Sequence, residues 1–218
     1  MTPPTSEPAP FPPLAEPPPP DGAWAAAEPW LRRGFKALNR WFMIPMHRAG
    51  LAAWLSTPMG GYMLLLRVRG RTSGLTRETP LSYFVAEGAV WVMAGFGPRT
   101  EWYRNLLADP HVEAWMPSGR HLGTAEEELD PAVRARILPA LARATGAPAL
   151  MIGLNPWTAP DQAILEALAW VPLIRIRPDD GPLEAGPDDP GGRAWIWRQA
   201  VVLAACWLAW RIIRRPVR

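Results

Sequence analysis

A small antiparallel β-barrel carrying attached helices is the fold this sequence predicts. Between residues 62 and 129 the chain breaks into short β-like runs joined by tight turns rich in Gly and Pro, with few helical stretches between them. The regular strand–helix alternation that a doubly wound parallel sheet needs is missing.

Each element follows from local pattern. Residues 62–69 are β-like, 70–75 a turn by composition, and 79–86 a second strand. Glu87-Gly88 makes a tight turn into a third strand at 89–94. A loop rich in Gly and Pro, 95–99, precedes a short helix at 101–107 that Asp109-Pro110 stops. Strands at 111–116 and 121–129 flank Pro117-Ser118-Gly119, a hairpin signal. Asp130 caps a helix that begins at Pro131, a favoured first position. A helix at 161–170 and a last strand at 171–177 complete the barrel region, which spans 58–177.

The flanks are distinct. Residues 1–22 form a Pro-rich arm, with ten prolines in the first twenty positions, a composition for disordered or polyproline structure. Residues 23–57 hold amphipathic helices. In 27–43 Trp30, Leu31, Phe35, Leu38, Trp41 and Phe42 recur near helical spacing, opposite Arg32, Arg33, Lys36, Asn39 and Arg40. Pro45 ends or kinks that helix, and a shorter one follows at about 47–55. Residues 178–193 are a Pro/Gly/Asp linker, and 194–218 an apolar helix with a basic end.

Composition excludes several classes. A net charge of +3, carried almost entirely by Arg, argues against a dedicated nucleic-acid binder. The single cysteine, Cys206, allows no disulfide framework within the chain. His47, His111 and His121 lie far apart, with no close-spaced ligand pair, so no metal is expected. The N-terminus lacks the basic start and apolar core of a secretory leader, and a cytoplasmic location is expected.

Two segments carry the chemistry. In Gly70-Arg71-Thr72-Ser73-Gly74-Leu75-Thr76-Arg77-Glu78-Thr79-Pro80-Leu81, a two-glycine turn exposes backbone N–H groups, hydroxyls add donors, and two guanidinium forks suit phosphate or carboxylate. It is neither a Walker loop nor a GxGxxG turn. Alone, it reads first as a polar hairpin between two strands. The second segment runs from Val92-Met93-Ala94-Gly95-Phe96 through Trp102-Tyr103-Arg104-Asn105-Leu106: a strand ending in small residues, where a ring could approach the backbone, then an aromatic pair and an amide. Alone, that aromatic pair reads as core.

Together, in this order and spacing, the two segments resemble the deazaflavin-dependent nitroreductase family over roughly residues 45–177. The resemblance implies a split antiparallel β-barrel of the FMN-binding split-barrel-like kind. It also implies coenzyme F420, a deazaflavin with a phosphate and an oligoglutamate tail. Arg71, Thr72 and Ser73 match the family's tail-binding block. Arg77, Glu78, Thr79, Pro80, Leu81 and Ser82 match the strand beside the deazaflavin. Met93, Ala94, Gly95 and Phe96 match the stretch touching the ring, and Trp102, Tyr103 and Asn105 lie in the matching W-Y-x-N segment. Thr72 stands where a lysine is common, and Gly95 and Phe96 stand where some members carry serine and lysine. The implied activity is hydride transfer from reduced F420 to a quinone, nitro or activated-alkene acceptor. The proton that such a reduction also needs could come from Tyr83, Tyr103 or solvent. An FMN-binding flavoprotein and a non-catalytic cofactor or lipid carrier are the competing readings on this fold.

The flanks add a partner. Arg198 and Arg211 bracket only twelve residues, about 18 Å of helix against a hydrocarbon core of about 30 Å. Spanning with a cytoplasmic barrel would also carry Arg211, Arg214, Arg215 and Arg218 across, against the positive-inside rule. An interfacial or re-entrant helix avoids that conflict; packing on the barrel or on a second subunit is the other option. Four of the tryptophans precede the barrel and four follow it, which favours contact with the membrane surface at both ends.

Overall fold

The computed structural model describes residues 30, 33, 34 and 36–214; the arm at 1–22 and the start of the predicted 27–43 helix lie outside them. Six strands make a closed barrel: β1 (Met63–Arg69), β2 (Thr76–Ala86), β3 (Ala89–Met93), β4 (His111–Met116), β5 (Gly119–Glu127) and β6 (Leu173–Pro178). Their order around the barrel is β1-β2-β3-β6-β5-β4, every pair antiparallel. The predicted barrel with flanking helices is this barrel.

Alternation of side chains sorts two cores. Leu64, Leu66 and Val68 of β1, Val90 and Val92 of β3, and Ile174 and Ile176 of β6 point into the barrel. The other parity of β3 and β6 (Ala89, Trp91, Met93 and Leu173) points outward into a second core. That core lies under α4 (Pro131–Thr145) and α5 (Asp161–Ala167), which contribute Ile137, Leu138, Leu141 and Ile164. β3 is therefore buried on both faces. Each buried Leu, Ile or Val stabilises by roughly 1.5–3 kcal/mol, so the two layers hold the barrel from inside and out. Asp130 caps α4 as expected, its Oδ1 accepting from Ala132 N–H at 2.8 Å.

Several boundaries moved. β2 begins at Thr76, three residues before the strand start expected at 79. Pro45 does not end the helix: a π-helical turn, Asn39–Met43, leads directly into α1 (Ile44–Arg48). A proline cannot donate to a carbonyl one turn back, and the wider turn just before it takes up the mismatch. α2 (Ala52–Leu55) is separated from α1 by Gly50 at φ +73°. Pro178 ends β6; residues 179–193 form no regular element, yet they fold back on the barrel: Asp189 is buried and accepts the Tyr83 hydroxyl at 2.6 Å and Gly186 N–H at 2.7 Å. The last helix, α6 (Ala194–Ile213), is rooted on α2, where Trp197 meets Trp54 edge-on and Gln199 donates to the Trp54 carbonyl. Beyond that root its large apolar side chains are exposed.

The loop after β3 depends on Gly97. Its φ is +78°, and a Cβ there would collide with the Trp170 ring. Gly97→Ala is expected to lower stability by about 1–3 kcal/mol, the scale of overpacking plus left-handed strain. Thermal unfolding checks this; an unchanged Tm would contradict the packing.

Candidate functional site

The site begins with a mismatch of strand lengths. β2 has eleven residues and β3 has five. β1 pairs with β2 from Thr76 to Ser82, but β3 pairs only with Tyr83 to Ala86. The first half of β2 thus has a neighbour on one side and an open edge on the other. Pro80 falls in that half, where a missing N–H costs no ladder bond toward β3.

A cleft of about 1330 Å³ lies along this open edge. Arg77, Glu78, Thr79, Pro80, Leu81 and Ser82 line it in succession, with Met93, Gly95 and Phe96 from the end of β3 and the following loop. Trp102 of α3 (Glu101–Ala108) joins them. The opposite wall is the N-terminal helical segment, through Leu38, Trp41, Phe42 and Ile44. The interior is therefore largely apolar. Arg33, Lys36, Arg40, Arg77 and Arg99 also line it, with Glu78 and Glu101. Nothing lies within 4 Å of where a Gly95 Cβ would stand, so the backbone there borders open space.

The hairpin and α3 are tied together beside the cleft. Asn105, buried on α3, accepts from the Arg71 backbone N–H at 3.2 Å and from Arg71 Nη1 at 3.0 Å. Arg71 Nη1 also donates to Glu101 Oε2 at 2.7 Å. That hydrogen bond holds the Glu101 carboxyl below the usual carboxylate range, with Arg71, Arg104 and Lys36 charges adding to it. Arg77 Nη2 donates to Ser73 Oγ at 3.1 Å. Glu78 is held by Arg48 at 2.7 Å and Arg67 at 3.4 Å.

Not every residue singled out from sequence reaches the cleft. Thr72 and Ser73 sit exposed on the hairpin turn, and Ala94 is fully buried with its N–H on the Pro172 carbonyl. Neither tyrosine proposed as proton source lines it. The Tyr83 side chain points into the barrel core and its hydroxyl ends on Asp189. Burial, then the Asp189 charge, pushes that phenol far above its ordinary pKa. Tyr103 donates to Glu127 Oε2 at 2.7 Å on the other side of α3, and burial again raises its pKa. Sequence reasoning missed Arg99, Met63, His47 and the role of the basic helix as a cleft wall. An amphipathic pattern shows that a helix has an apolar face but not what that face covers.

Among the described residues no three His, Cys, Asp or Glu side chains come together in a way that could hold a metal ion. Residues 46–147 match the family model of the F420H(2)-dependent quinone reductases, a span that contains the open edge of β2, the loop after β3 and α3. Over that span the chain is similar to the family. The matched family points to an F420-dependent oxidoreductase with coenzyme F420 as cofactor. No curated protein matches the chain. Among solved structures it is similar to a conserved hypothetical protein of Mycobacterium tuberculosis, at 17% identity and a TM-score of 0.43, covering 60% of this chain and 79% of that one. It is also similar to an F420 reductase (18% identity, TM-score 0.37, 58% and 90% covered) and to an F420-H2 dependent reductase (18%, 0.36, 53% and 93%).

Coenzyme F420 fits what the cleft offers. A flat ring needs an apolar slot and backbone partners for its polar edge, and an anionic tail needs cations. The slot, the open edge of β2, the space beside Gly95 and the lining arginines supply these.

The position of Tyr83 makes a test. Tyr83→Phe leaves the buried Asp189 carboxylate without its hydroxyl donor, and a loss of about 1–3 kcal/mol in stability is expected, with F420H2 oxidation per folded molecule unchanged. A large rate loss in a folded variant would return Tyr83 to the reacting groups.

Proposed function

We propose that the protein transfers a hydride from reduced F420 to a quinone-like acceptor at the cytoplasmic membrane surface. One observation carries this reading: the apolar cleft with cationic lining runs along the open edge of β2, and the exposed apolar helix α6 is rooted beside it. α2, on which α6 stands, contributes Ala52 and Leu55 to the cleft itself.

The roles follow from placement. The edge Pro80-Leu81-Ser82 and the backbone at Met93 and Gly95 orient the ring. Trp41, Phe42 and Trp102 exclude water around it and leave an apolar face for a planar acceptor. Arg77, Arg99 and Lys36 take the anionic tail, with Arg71 behind Glu101. When bound, the reduced cofactor supplies a hydride; with one proton the acceptor gains two electrons and becomes the quinol. With both tyrosines turned away, the proton comes from solvent through the open mouth of the cleft.

Membrane proximity rests on residue chemistry at both ends. No helix among the described residues is long and apolar enough to cross a membrane. α6 exposes Ile196, Val201, Leu203, Trp207, Leu208 and Trp210, and Arg211 and Arg214 stack on Trp207 and Trp210 near its end. The N-terminal segment exposes Trp30 and Trp41, each with an arginine over its ring. Aromatic rings paired with cations suit the headgroup level of an anionic bilayer.

The ring site is tested by Gly95→Val, which fills the space beside the backbone. F420 binding should be lost with thermal stability nearly unchanged; normal F420H2 turnover in that variant would place the ring elsewhere. The membrane role is tested by deleting residues 194–218 and measuring sedimentation with anionic vesicles. The truncated chain should remain in the supernatant while reducing a water-soluble quinone at the full-length rate. If the full-length chain also ignores anionic vesicles, α6 is a packing element.

A further inference from the structure

Glu101 is a misfit in a site built for anions. It lines the cleft, and its exposed carboxylate is met by Arg71 at 2.7 Å and Arg104 at 3.5 Å, with the Lys36 charge acting on it as well. Two arginines thus pair with one carboxylate that belongs to the chain itself. The two ends of the Arg71 contact differ. The Glu101 side chain is 72% exposed and the Arg71 side chain 27%. Arg71 has a second anchor in the buried Asn105 amide oxygen, which also takes the Arg71 backbone N–H. Losing Glu101 would therefore leave the guanidinium in place with a free donor face.

We infer that Glu101 is a displaceable internal counter-ion: its carboxylate holds Arg71 until a phosphate or carboxylate of the cofactor tail replaces it, so Glu101 sets how strongly the protein selects for tailed deazaflavins. This rests on the proposed cleft reading. The exchange is chemically even. An incoming phosphate or glutamate carboxylate offers the same acceptor oxygens that Glu101 gives up. An exposed ion pair is weak and screened in water, so breaking it costs little. Until it moves, the carboxylate repels the tail and lowers the net positive field at that end of the cleft. The sign of its effect is thus opposite to that of an ordinary binding residue: removing the charge improves binding of the cofactor.

Titration of the full-length protein with F420 and with the tail-less deazaflavin chromophore tests this, comparing wild type, Glu101→Gln and Glu101→Asp. Glu101→Gln keeps an acceptor for Arg71 and removes the charge. It should tighten F420 roughly two- to five-fold at low ionic strength, the scale of one exposed ion pair. The gain should shrink at high salt, tail-less chromophore affinity should not change, and Glu101→Asp should stay near wild type. Unchanged or weakened F420 binding by Glu101→Gln, against measurable wild-type binding, overturns the counter-ion role and leaves the cleft assignment standing. Equal tightening of both ligands also overturns it, because the effect would then lie at the ring. Failure of the wild type to bind either ligand overturns the cleft reading and this inference together.

Discussion

The site depends on β2 outrunning β3. A barrel strand normally has both edges paired, and its backbone groups are then spent on neighbours. Here the pairing between β2 and β3 stops at Tyr83, while β2 continues to Thr76 against β1 alone. The chain leaves β3 at Met93 for the loop that begins with Ala94 and Gly95, and that loop and α3 border the gap. The barrel closes elsewhere, through β1–β4 and β5–β6, so one open half-strand does not cost the sheet its closure. A ligand lying along that edge can use backbone donors and acceptors without disturbing the core.

The surroundings keep the gap in shape. Inside the barrel, Leu64, Leu66 and Val68 fix the parity of β1, and through the register with β2 they fix which residues of 76–82 face the interior. Outside, α4 and α5 bury Trp91 and Met93, which holds the short β3 rigid at the point where it stops. Asn105 clamps the hairpin at Arg71 to α3, and so couples the cationic turn to the helix that bears Trp102. Tyr83 sits where the open half of β2 meets the paired half. Its bond to Asp189 draws the following linker onto the barrel, and Arg198 pairs with Asp188 at the start of α6.

Much of this was legible in the sequence because it rests on period-two alternation and on turn residues. The strand at 111–116 and the cap at Asp130 need only local information, and they stand where expected. The ordered motifs also placed residues 77–82, 93, 95, 96 and 102 near one another, and the fold brings all of them to one cleft. What failed was direction. Alternation along β2 does not say which parity faces inward until its partners are known, so Tyr83 could be read as a reacting group when it is core. At Pro45 the missing N–H predicts an end or a kink, and the chain instead passes through a π-turn that absorbs the lost α-helical bond locally. The basic helix is legible as amphipathic, whereas the walling of the cleft by part of it is a long-range contact with no periodic signature.

A structure determined with F420 bound tests the central claim most directly, that the open edge of β2 is the cofactor site. The expected result places the ring along Pro80-Leu81-Ser82 with one face near the Gly95 backbone, under Trp41 and Phe42, and the tail toward Arg77 and Arg99. A ring bound anywhere else, or a β3 extended to pair with Thr76–Ser82 in the complex, would contradict it.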